Sequence, residues 1–392
     1  MAGLVQIQTV PLEVPTGPVG RISSLLIKPA SALCNLDCEY CFYLDRETDP
    51  YKDIAQKRMS YDTLRRMVES YLFYSHPQST FAFQGGEPTL AGLPFFEKLI
   101  AYQQKYGRTG QAVSNALQTN TILLDDAWCQ FLRSYNWLVG ASIDGDEEMH
   151  DRYRVNRGGE GTWRRVMKSI EKMKKHRVDF NALCVLSQSN VEKPKEVYRF
   201  FRSLGIDYLQ FIPLAEFSPS GGTHPYAITP KQYGRFLLEV FELWWPDRKQ
   251  VRIRYFDNIA EAVAGLTPGN CTMHKTCDSY VVVEYNGDIY PCDFFVSPEW
   301  KLGNLNKDTW SQIAANPLRA RFAYGKQIPH PACQACEYQA LCHGGCPSFR
   351  TKQRGNPGDL DYFCESYKMV YAAVLEPLRK EVELITGKPA VL

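Results

Sequence analysis

Three cysteines near the start of the chain have the types and spacing of iron-sulfur ligands. Cys34, Cys38 and Cys41 form the pattern C-x3-C-x2-C, and we call them the opening set. Three thiolates at this spacing can hold three corners of a 4Fe-4S cube and leave its fourth iron open for a small ligand. A structural zinc site would need a fourth protein ligand, and this loop supplies none nearby. A zinc site completed by a remote residue and a set of unligated thiols are the alternative interpretations.

Eight more cysteines lie among glycines and prolines in the last third of the chain. Their pattern is C-x5-C-x14-C followed by C-x2-C-x5-C-x3-C-x17-C, and eight thiolates are enough to ligate two four-iron clusters fully. His274 and His343 lie among them and could instead complete zinc sites. Cys129 and Cys184 occupy apolar segments, where we expect small, inert, buried residues. The eight candidate ligands are Cys271, Cys277, Cys292, Cys333, Cys336, Cys342, Cys346 and Cys364.

The composition excludes several other classes of protein. A chain of 392 residues with 44% hydrophobic residues can bury a large core, in two or three domains or in one barrel with an appendage. The net charge of only +2 gives no overall field for nucleic acid or an anionic membrane, so we expect neither as a partner. No signal peptide and no membrane-length apolar run is found, which predicts a cytoplasmic protein. Thirteen cysteines in a reducing compartment favour metal or cluster binding over disulfides.

Strand-like and helix-like segments alternate through the first half of the chain. Because parallel strands need crossover connections, six strand and helix pairs in series predict a partial (β/α)6 TIM-like barrel of the α/β class. The predicted strands are 23–28, 80–84, 112–118, 138–144, 180–187 and 208–214. The predicted helices are 60–76, 94–106, 125–135, 162–176, 190–204 and 229–245.

A change in amino-acid composition near residue 265 marks the end of the predicted barrel. Cysteines accumulate after it, and the segment 281–292 predicts a hairpin in which the pair Asn286-Gly287 favours a type I′ turn. We therefore expect a C-terminal cysteine-rich iron-sulfur extension and a terminal helix, which the helical pattern from about 361 to 385 supports. The predicted domains are an N-terminal arm at 1–20, the barrel at 21–264, the extension at 265–370, and a C-terminal helix and tail at 371–392.

Motifs around the opening set resemble those of radical S-adenosylmethionine enzymes. In C-N-L-D-C-E-Y-C-F-Y, residues 34–43, the aromatic Tyr40 precedes the third cysteine as it does in that superfamily. The segment G-G-E-P at 85–88 resembles the superfamily's GGEP motif after the second strand. The later cysteines resemble the SPASM extension of peptide-modifying members. The resemblance implies three 4Fe-4S clusters and S-adenosylmethionine as cofactors.

The same resemblance divides the eight later cysteines into two interleaved groups. The group that we call the first auxiliary set would hold one cluster through Cys271, Cys277, Cys292 and Cys346. The group that we call the second auxiliary set would hold another through Cys333, Cys336, Cys342 and Cys364. Spacing alone does not reveal this interleaving.

Longer matches resemble one subfamily, the anaerobic sulfatase-maturating enzymes, from about residue 23 to about residue 371. The resemblance implies oxidation of one Cys or Ser in a sulfatase polypeptide, within Cys/Ser-x-Pro-x-Arg, to Cα-formylglycine, with a reducing electron donor such as flavodoxin or ferredoxin. Thr121 departs from the family pattern, in which L-Q-T-N is commonly followed by glycine. The matches include S-x-L-I-K-P-A-S before the opening set, F-A-F-Q-G-G-E-P-T-L-A-G-L at 81–93, L-Q-T-N at 117–120, I-R-Y-F-D at 253–257 and Y-P-C-D-F at 290–294.

Polar residues at strand ends are candidates for binding and catalysis. Asp293, directly after Cys292, matches the family's catalytic aspartate and would accept the proton of the substrate hydroxyl or thiol. Gln84 and Gln118 could bind substrate backbone amides. Cofactor binding is predicted for five residues. Tyr40 is an aromatic residue beside the cysteines, and Gly86 permits close approach of the cofactor. Ser142 supplies a hydroxyl, Arg154 supplies a guanidinium that could fork a carboxylate, and the resemblance implies that Ala215 meets adenine through its backbone.

Two other functions compete with sulfatase maturation. A different radical peptide maturase, forming a thioether or carbon-carbon crosslink, would share the barrel and the extension. A zinc-bearing peptide-binding scaffold would share the cysteines but not the chemistry. The physiological sulfatase, the preference for Cys or Ser, the electron donor and the oligomeric state are left open by the sequence.

Overall fold

One continuous sheet forms the framework of the protein in a computed structural model that describes residues 17, 19–43, 49–55, 57–217, 222–328, 330–350 and 358–392. Strands β1 to β7 follow one another in parallel, and β8, β9 and β10 continue the sheet beyond β1. The bounds are β1 Ser24–Lys28, β2 Gln78–Phe83, β3 Ala112–Thr119, β4 Leu138–Ser142, β5 Asp179–Leu186, β6 Tyr208–Pro213, β7 Arg252–Ile253, β8 Val281–Glu284, β9 Asp288–Tyr290 and β10 Gly303–Asn304.

Helices connect the parallel strands and cover the sheet. Their starts are set by ordinary caps, as where the Asp125 side chain accepts a hydrogen bond from the backbone of Trp128. The helices are α1 Tyr61–Ser75, α2 Leu93–Tyr106, α3 Asp126–Ser134, α4 Glu147–Asp151, α5 Trp163–Lys175, α6 Pro194–Ser203, α7 Pro230–Trp244, α8 Arg254–Val263, α9 Trp310–Ala314, α10 Pro317–Gly325, α11 Pro331–Gln334, α12 Gln339–Cys342 and α13 Cys364–Thr386.

The predicted partial barrel is confirmed. Each of the six predicted strands and six predicted helices corresponds to an observed element, with ends that differ by a few residues. The short strand β7 was not predicted, because two residues carry no periodic signal. Most of the predicted N-terminal arm, residues 1–16 and 18, lies outside the described residues.

The cysteine-rich extension enters the barrel sheet through β8. This strand runs parallel to β1, with Lys28 opposite Glu284, and then turns back into the antiparallel β9. The predicted hairpin is therefore present, but the predicted type I′ turn is wrong. A type I′ turn needs a positive φ at both central residues, and the φ of Asn286 is not positive. The chain instead reverses in a three-residue loop, in which Gly287 has a φ of 87° and its N–H donates to the Glu284 carbonyl.

The terminal helix α13 packs against α7 and α8 and so ties the end of the chain to the barrel. It begins at Cys364, a predicted cluster ligand, so the expected division between residues 370 and 371 falls inside this helix. Within the described ranges, no helix has both the length and the apolar character needed to cross a membrane.

Candidate active site

A cavity of about 1340 Å³ lies at the carboxyl ends of the barrel strands. We call it the barrel cavity. The opening set lines one wall, and Tyr43, Glu216 and Phe294 contribute elsewhere. Carboxyl ends of parallel strands are the usual place for a site in such a barrel. The structure brings together here the predicted residues Tyr40, Gln84, Gly86, Gln118, Ser142, Arg154 and Ala215.

The loop after β1 presents the three thiols of the opening set to this cavity. Burial, with smaller contributions from other cysteines of the set, raises the pKa of Cys34 to about 11 and that of Cys38 to about 12. All three thiols line this one cavity. Since only thiolates ligate iron, these groups would lose their protons when a cluster binds. The donor set therefore fits a cluster held by three cysteines.

The G-G-E-P segment holds the cysteine loop against the sheet. A Cβ at Gly86 would lie 2.2 Å from the Leu33 carbonyl oxygen, so only glycine permits this approach. Beside it, the buried Glu87 carboxylate accepts hydrogen bonds from the side chain of Thr119 at 2.8 Å and the backbone of Asn120 at 2.8 Å. The loops after β1, β2 and β3 are thus fastened to one another.

The Arg154 guanidinium makes a two-pronged contact with a protein carboxylate. Its Nε and Nη2 donate to the two oxygens of buried Asp144, at 2.8 and 3.1 Å, and the Tyr40 hydroxyl donates to the same carboxylate. Arg154 also lies over the Tyr40 ring, 5.5 Å from its centroid. The fork predicted for a cofactor carboxylate is therefore occupied by Asp144, although Arg154 still lines the barrel cavity.

Ser142 and Gln118 meet on neighbouring strands. The Gln118 amide donates a hydrogen bond to the Ser142 hydroxyl at 2.9 Å, and it lies beside Gly140, which has no side chain. A Cβ at Gly140 would lie 2.0 Å from the Gln118 oxygen, so glycine makes room for this pair. The predicted cofactor-binding hydroxyl and the predicted substrate-binding amide therefore form one polar unit in the cavity wall.

Asp293 lies in a short 3-10 turn, Asp293–Phe295, after β9, directly before Phe294, which lines the same cavity. Its side chain is buried, and its Oδ2 accepts a hydrogen bond from the Tyr43 hydroxyl. The Gln84 amide lies 3.4 Å from the same oxygen and can also donate to it. Tyr43 and Gln84 both line the barrel cavity, so the Asp293 carboxylate is connected to it through two donors.

A buried ion pair lies next to the Asp293 carboxylate. The Lys28 ammonium lies 2.7 Å from Glu284 Oε1 and 3.4 Å from Asp293 Oδ1. It also faces the Tyr43 ring, 4.9 Å from the centroid. In the described part of the chain, the Glu284 oxygens accept no hydrogen bond, so the ion pair with Lys28 compensates that carboxylate there.

The first auxiliary set surrounds part of a second cavity of about 1190 Å³. Burial, with a smaller contribution from Cys271, raises the pKa of Cys277 to about 12 and that of Cys346 to about 11. Burial also raises the pKa of Cys292, with additional contributions from Cys346 and Cys271. Four thiols that lie apart in the sequence therefore converge in the interleaved pattern.

The second auxiliary set lines a separate cavity of about 410 Å³ at the start of α13. Burial, with smaller contributions from Asp361 and Cys364, raises the pKa of Cys342 to about 12. Burial also raises the pKa of Cys364, with smaller contributions from Cys333 and Cys336. The eight cysteines thus separate into the same two groups of four that the resemblance implies.

His274, one of the two histidines among these cysteines, has other contacts. Both ring nitrogens of His274 are engaged, one with the Pro268 carbonyl and the other with the Ser279 hydroxyl. Across the described residues, no three or more His, Cys, Asp and Glu side chains converge as ligands of a single metal ion would. A four-iron cube instead takes one thiolate at each iron, and so it spreads its ligands over the faces of a larger body.

Three residues around Asp293 were missed by sequence reasoning. Tyr43 and Lys28 contact Asp293, and Glu284 pairs with Lys28, but no role was assigned to them. A signal was available for two of them, since a lysine and a glutamate each end a strongly apolar β-rich run. A charged residue in such a position is rarely buried unless it is paired.

The chain matches two sequence families. Residues 29–201 match the radical SAM superfamily, and residues 271–337 match the iron-sulfur cluster-binding domain SPASM. A serine-type anaerobic sulfatase-maturating enzyme of Bacteroides thetaiotaomicron is 36% identical, with 93% of each chain covered. A cysteine-type enzyme of Clostridium perfringens is 38% identical, over 88% of this chain and 94% of the relative.

Two solved structures are similar to this chain, one at high and one at low sequence identity. A structure described as native anSMEcpe with bound AdoMet and Cp18Cys peptide has a TM-score of 0.86 and 36% identity, and it covers 92% of this chain and 99% of that one. Streptococcus suis SuiB bound to S-adenosylmethionine has a TM-score of 0.62 at 16% identity, covering 88% of this chain and 77% of that one, and shares the fold.

Proposed function

The chain belongs to the anaerobic sulfatase-maturating enzymes of the radical S-adenosylmethionine superfamily, and we propose that it oxidises a cysteine or serine of a sulfatase polypeptide to Cα-formylglycine. Support comes from relatives of both substrate types at similar identity, and from a similar protein whose structure holds AdoMet and a peptide. The reducing donor would be a small redox protein such as flavodoxin or ferredoxin.

The cysteines and the residues at the strand ends fit the family's cofactors. We assign one 4Fe-4S cluster to the opening set and one to each auxiliary set, in line with the three thiol groups that converge. When bound, these clusters and S-adenosylmethionine supply a radical that abstracts hydrogen, together with an acceptor for one electron. Gly86, Ser142 and Ala215 line the space available to the nucleotide cofactor, and Tyr40 and Arg154 stiffen its wall through Asp144.

Asp293 is the proposed general base. Oxidation of a Cβ hydroxyl or thiol to the carbonyl level removes one hydrogen atom, one proton and one further electron, so a proton acceptor is needed close to the substrate oxygen or sulfur. The Asp293 carboxylate is buried beside the barrel cavity and held by Tyr43 and Gln84. For a cysteine substrate, water must then replace sulfur, with release of sulfide. Gln118 and Gln84 would hold the substrate backbone.

The observation that carries this function is a single cavity lined both by the opening set and by the Asp293 donors Tyr43 and Gln84. A radical formed beside the cysteines and the Asp293 carboxylate could therefore act on one substrate residue. The proposed domains are the barrel at 21–264 and the extension at 265–370, although β8 joins the two in one sheet.

The reaction is tested with the reconstituted, reduced protein, S-adenosylmethionine and matched peptides containing Cys-x-Pro-x-Arg or Ser-x-Pro-x-Arg. We expect an aldehyde that forms a hydrazone, in at least one of the two peptides. A crosslinked peptide without aldehyde would instead support another radical maturase. A purified protein that contains zinc and no inorganic sulfide would support a scaffold without this chemistry.

A further inference from the structure

A lysine is buried among the thiols of the first auxiliary set. Lys326, 1% exposed, donates hydrogen bonds to the carbonyl oxygens of Cys271 and Thr272, at 3.2 and 2.8 Å. Within the described ranges, no carboxylate lies within salt-bridge distance of its ammonium group. Burial lowers the pKa of Lys326, whereas the thiols of Cys277, Cys346 and Cys271, and less strongly that of Cys342 in the other set, raise it. A buried ammonium without a carboxylate needs other negative charge nearby, and ligating thiolates would provide it.

Two hydroxyl groups point at sulfurs of the same set. The Tyr280 hydroxyl lies 3.4 Å from Cys292 Sγ, and the Ser348 hydroxyl lies 3.0 Å from Cys346 Sγ. A ligating thiolate has no proton to give, so both hydroxyls would act as donors to it. Hydrogen bonds to the sulfurs of a cluster are one of the main determinants of its reduction potential.

The second auxiliary set has a different electrostatic environment. Buried Asp361 is shared by the two sets, because it adds to the effect of burial in raising the pKa of Cys342 and Cys364 and also accepts a hydrogen bond from the backbone N–H of Cys346 at 2.8 Å. Lys326 lowers the pKa of Cys342, against the larger effect of burial, but its own hydrogen bonds go to Cys271 and Thr272. Lys368, near Cys364, is exposed, where water and salt screen it. In the part of the chain that the structure describes, no side-chain hydroxyl donates to a sulfur of this set. The two sets of four cysteines are therefore not electrostatically equivalent.

We propose that Lys326, Tyr280 and Ser348 raise the reduction potential of the cluster held by the first auxiliary set above that of the cluster held by the second. Reduction adds one negative charge, and a buried cation and two hydrogen-bond donors stabilise the more negative state. Because the interior screens charge poorly, each group acts more strongly there than it would in water. The three side chains are tuning residues that act on the potential through the cysteine ligands and do not touch the substrate.

The first auxiliary set is also the one beside the barrel cavity. The two cavities share the wall residues Gln210, Ile212, Pro213, Phe294 and Phe349, and the proposed base directly follows Cys292. This step rests on the proposed function. In that function the substrate loses a hydrogen atom from Cβ, gives a proton to Asp293, and has one further electron to lose. The higher potential makes the first auxiliary cluster the acceptor of that electron, which then leaves by way of the external redox partner.

The proposal is tested by the potentials of the two auxiliary clusters. Replacing Cys34, Cys38 and Cys41 by alanine leaves only these two clusters to titrate, and anaerobic redox titration followed by electron paramagnetic resonance then resolves their reduction. We expect two one-electron steps. Lys326→Met should lower the reduction potential of the higher step by about 59 mV, which corresponds to about a tenfold change in the ratio of reduced to oxidised cluster. Tyr280→Phe should lower the same step by a smaller amount, and Lys326→Arg should largely preserve it.

Lys368→Met is the matched control, because it removes an exposed lysine near the other set and should leave the higher step in place. An unchanged higher step in both Lys326→Met and Tyr280→Phe would overturn the proposal, as would movement of the lower step alone. If Lys326→Met does not retain its clusters, Tyr280→Phe decides the question by itself. No peptide is used in this titration, so its result is independent of whether an aldehyde forms.

Discussion

The two oxygens of the Asp293 carboxylate have different neighbours. One oxygen faces the Lys28 ammonium at 3.4 Å, and the other receives the Tyr43 hydroxyl, with the Gln84 amide 3.4 Å away. Contacts on both oxygens fix the rotation of the carboxylate, so it does not need to be oriented by the substrate. At the scale of single residues, the site therefore combines a fixed base with an open cavity.

Replacing Asp293 by asparagine tests the proposed base. The amide keeps the shape of the side chain but cannot accept a proton, so we expect formation of the peptide aldehyde to fall by about 10²-fold or more. Cleavage of S-adenosylmethionine should fall much less, because Asp293 is not among the opening-set ligands. Both products are quantified by mass spectrometry in the same reaction. Glu299→Gln, at an exposed position six residues further on, is the control, and equal aldehyde yields in both variants would refute the role.

Lys28→Met tests the buried ion pair. Removing the cation leaves the Glu284 and Asp293 carboxylates buried together, which should lower the free energy of unfolding by about 3 to 5 kcal/mol. Anaerobic denaturant titration measures the loss. The double variant Lys28→Met with Glu284→Gln removes one of the uncompensated charges and should recover about 1 kcal/mol or more. A double variant less stable than Lys28→Met would contradict the pairing.

Sequence reasoning named site residues that the structure brings together, and their roles stay predictions. The opening set follows from its spacing, and the resemblance supplied Asp293 and the interleaved auxiliary sets. Lys28 and Glu284 were missed because their importance comes from the pairing of β1 with β8, which lie about 250 residues apart in the sequence. No local pattern records such a contact. Asp144 was missed for a similar reason, since Arg154 was expected to bind a cofactor carboxylate.

At the scale of elements, the loops after β1, β2 and β3 behave as one unit around Glu87. Its carboxylate receives donors from Thr89, Thr119 and Asn120, and Asn120 in turn donates to Asn35 beside the opening set at 2.8 Å. The strained residue Thr121 follows directly. It is fully buried at φ 65°, and in the described part of the chain its hydroxyl has no hydrogen-bond partner.

Thr121→Gly should stabilise the protein. A β-branched residue with positive φ carries about 1 to 2 kcal/mol of strain, and the change also removes a buried hydroxyl without a partner. The greater flexibility of glycine in the unfolded chain offsets about 0.5 to 1 kcal/mol of this gain. Thermal unfolding under anaerobic conditions should show a higher midpoint. Asn136→Gly is the matched control, because asparagine tolerates its φ of 50° and little change is expected. A lower midpoint for Thr121→Gly would contradict the strain.

Gly86→Ala should separate the opening loop from the sheet. The new Cβ would meet the Leu33 carbonyl at 2.2 Å, and backbone rather than a flexible side chain would have to move. We expect a loss of the cluster held by the opening set, seen as about eight iron atoms per chain in place of about twelve. Gly325→Ala, where no atom lies within 4 Å of the added Cβ, should retain the full content. Full iron content in Gly86→Ala would count against this packing.

Element prediction succeeded where the pattern is long and failed where it is short. The alternation of apolar β-rich runs with capped helical segments predicts six strand and helix units, and these are observed. The strand β7 has two residues, and the pairing of β8 with β1 is set by tertiary contacts. The hairpin was predicted by Asn286-Gly287, but its turn type depends on backbone angles that the residue pair only favours.

At the scale of the whole molecule, the extension and the barrel share structural elements. β8 and β9 continue the barrel sheet, α13 packs on α7 and α8, and α13 begins at a cysteine of the second auxiliary set. Each auxiliary set also draws its cysteines from distant parts of the extension. Assembly of these clusters is therefore expected to be coupled to folding of the extension against the barrel.

The central claim is that the opening set and Asp293 act on the Cβ of one peptide residue in the barrel cavity. The most direct measurement uses a Cys-x-Pro-x-Arg or Ser-x-Pro-x-Arg peptide with both Cβ hydrogens replaced by deuterium, incubated anaerobically with the reduced protein and S-adenosylmethionine. Mass spectrometry should show one deuterium transferred to 5′-deoxyadenosine and one retained in the peptide aldehyde. Unlabelled 5′-deoxyadenosine from both peptides, or a modified peptide that keeps both deuterium atoms, would contradict the account.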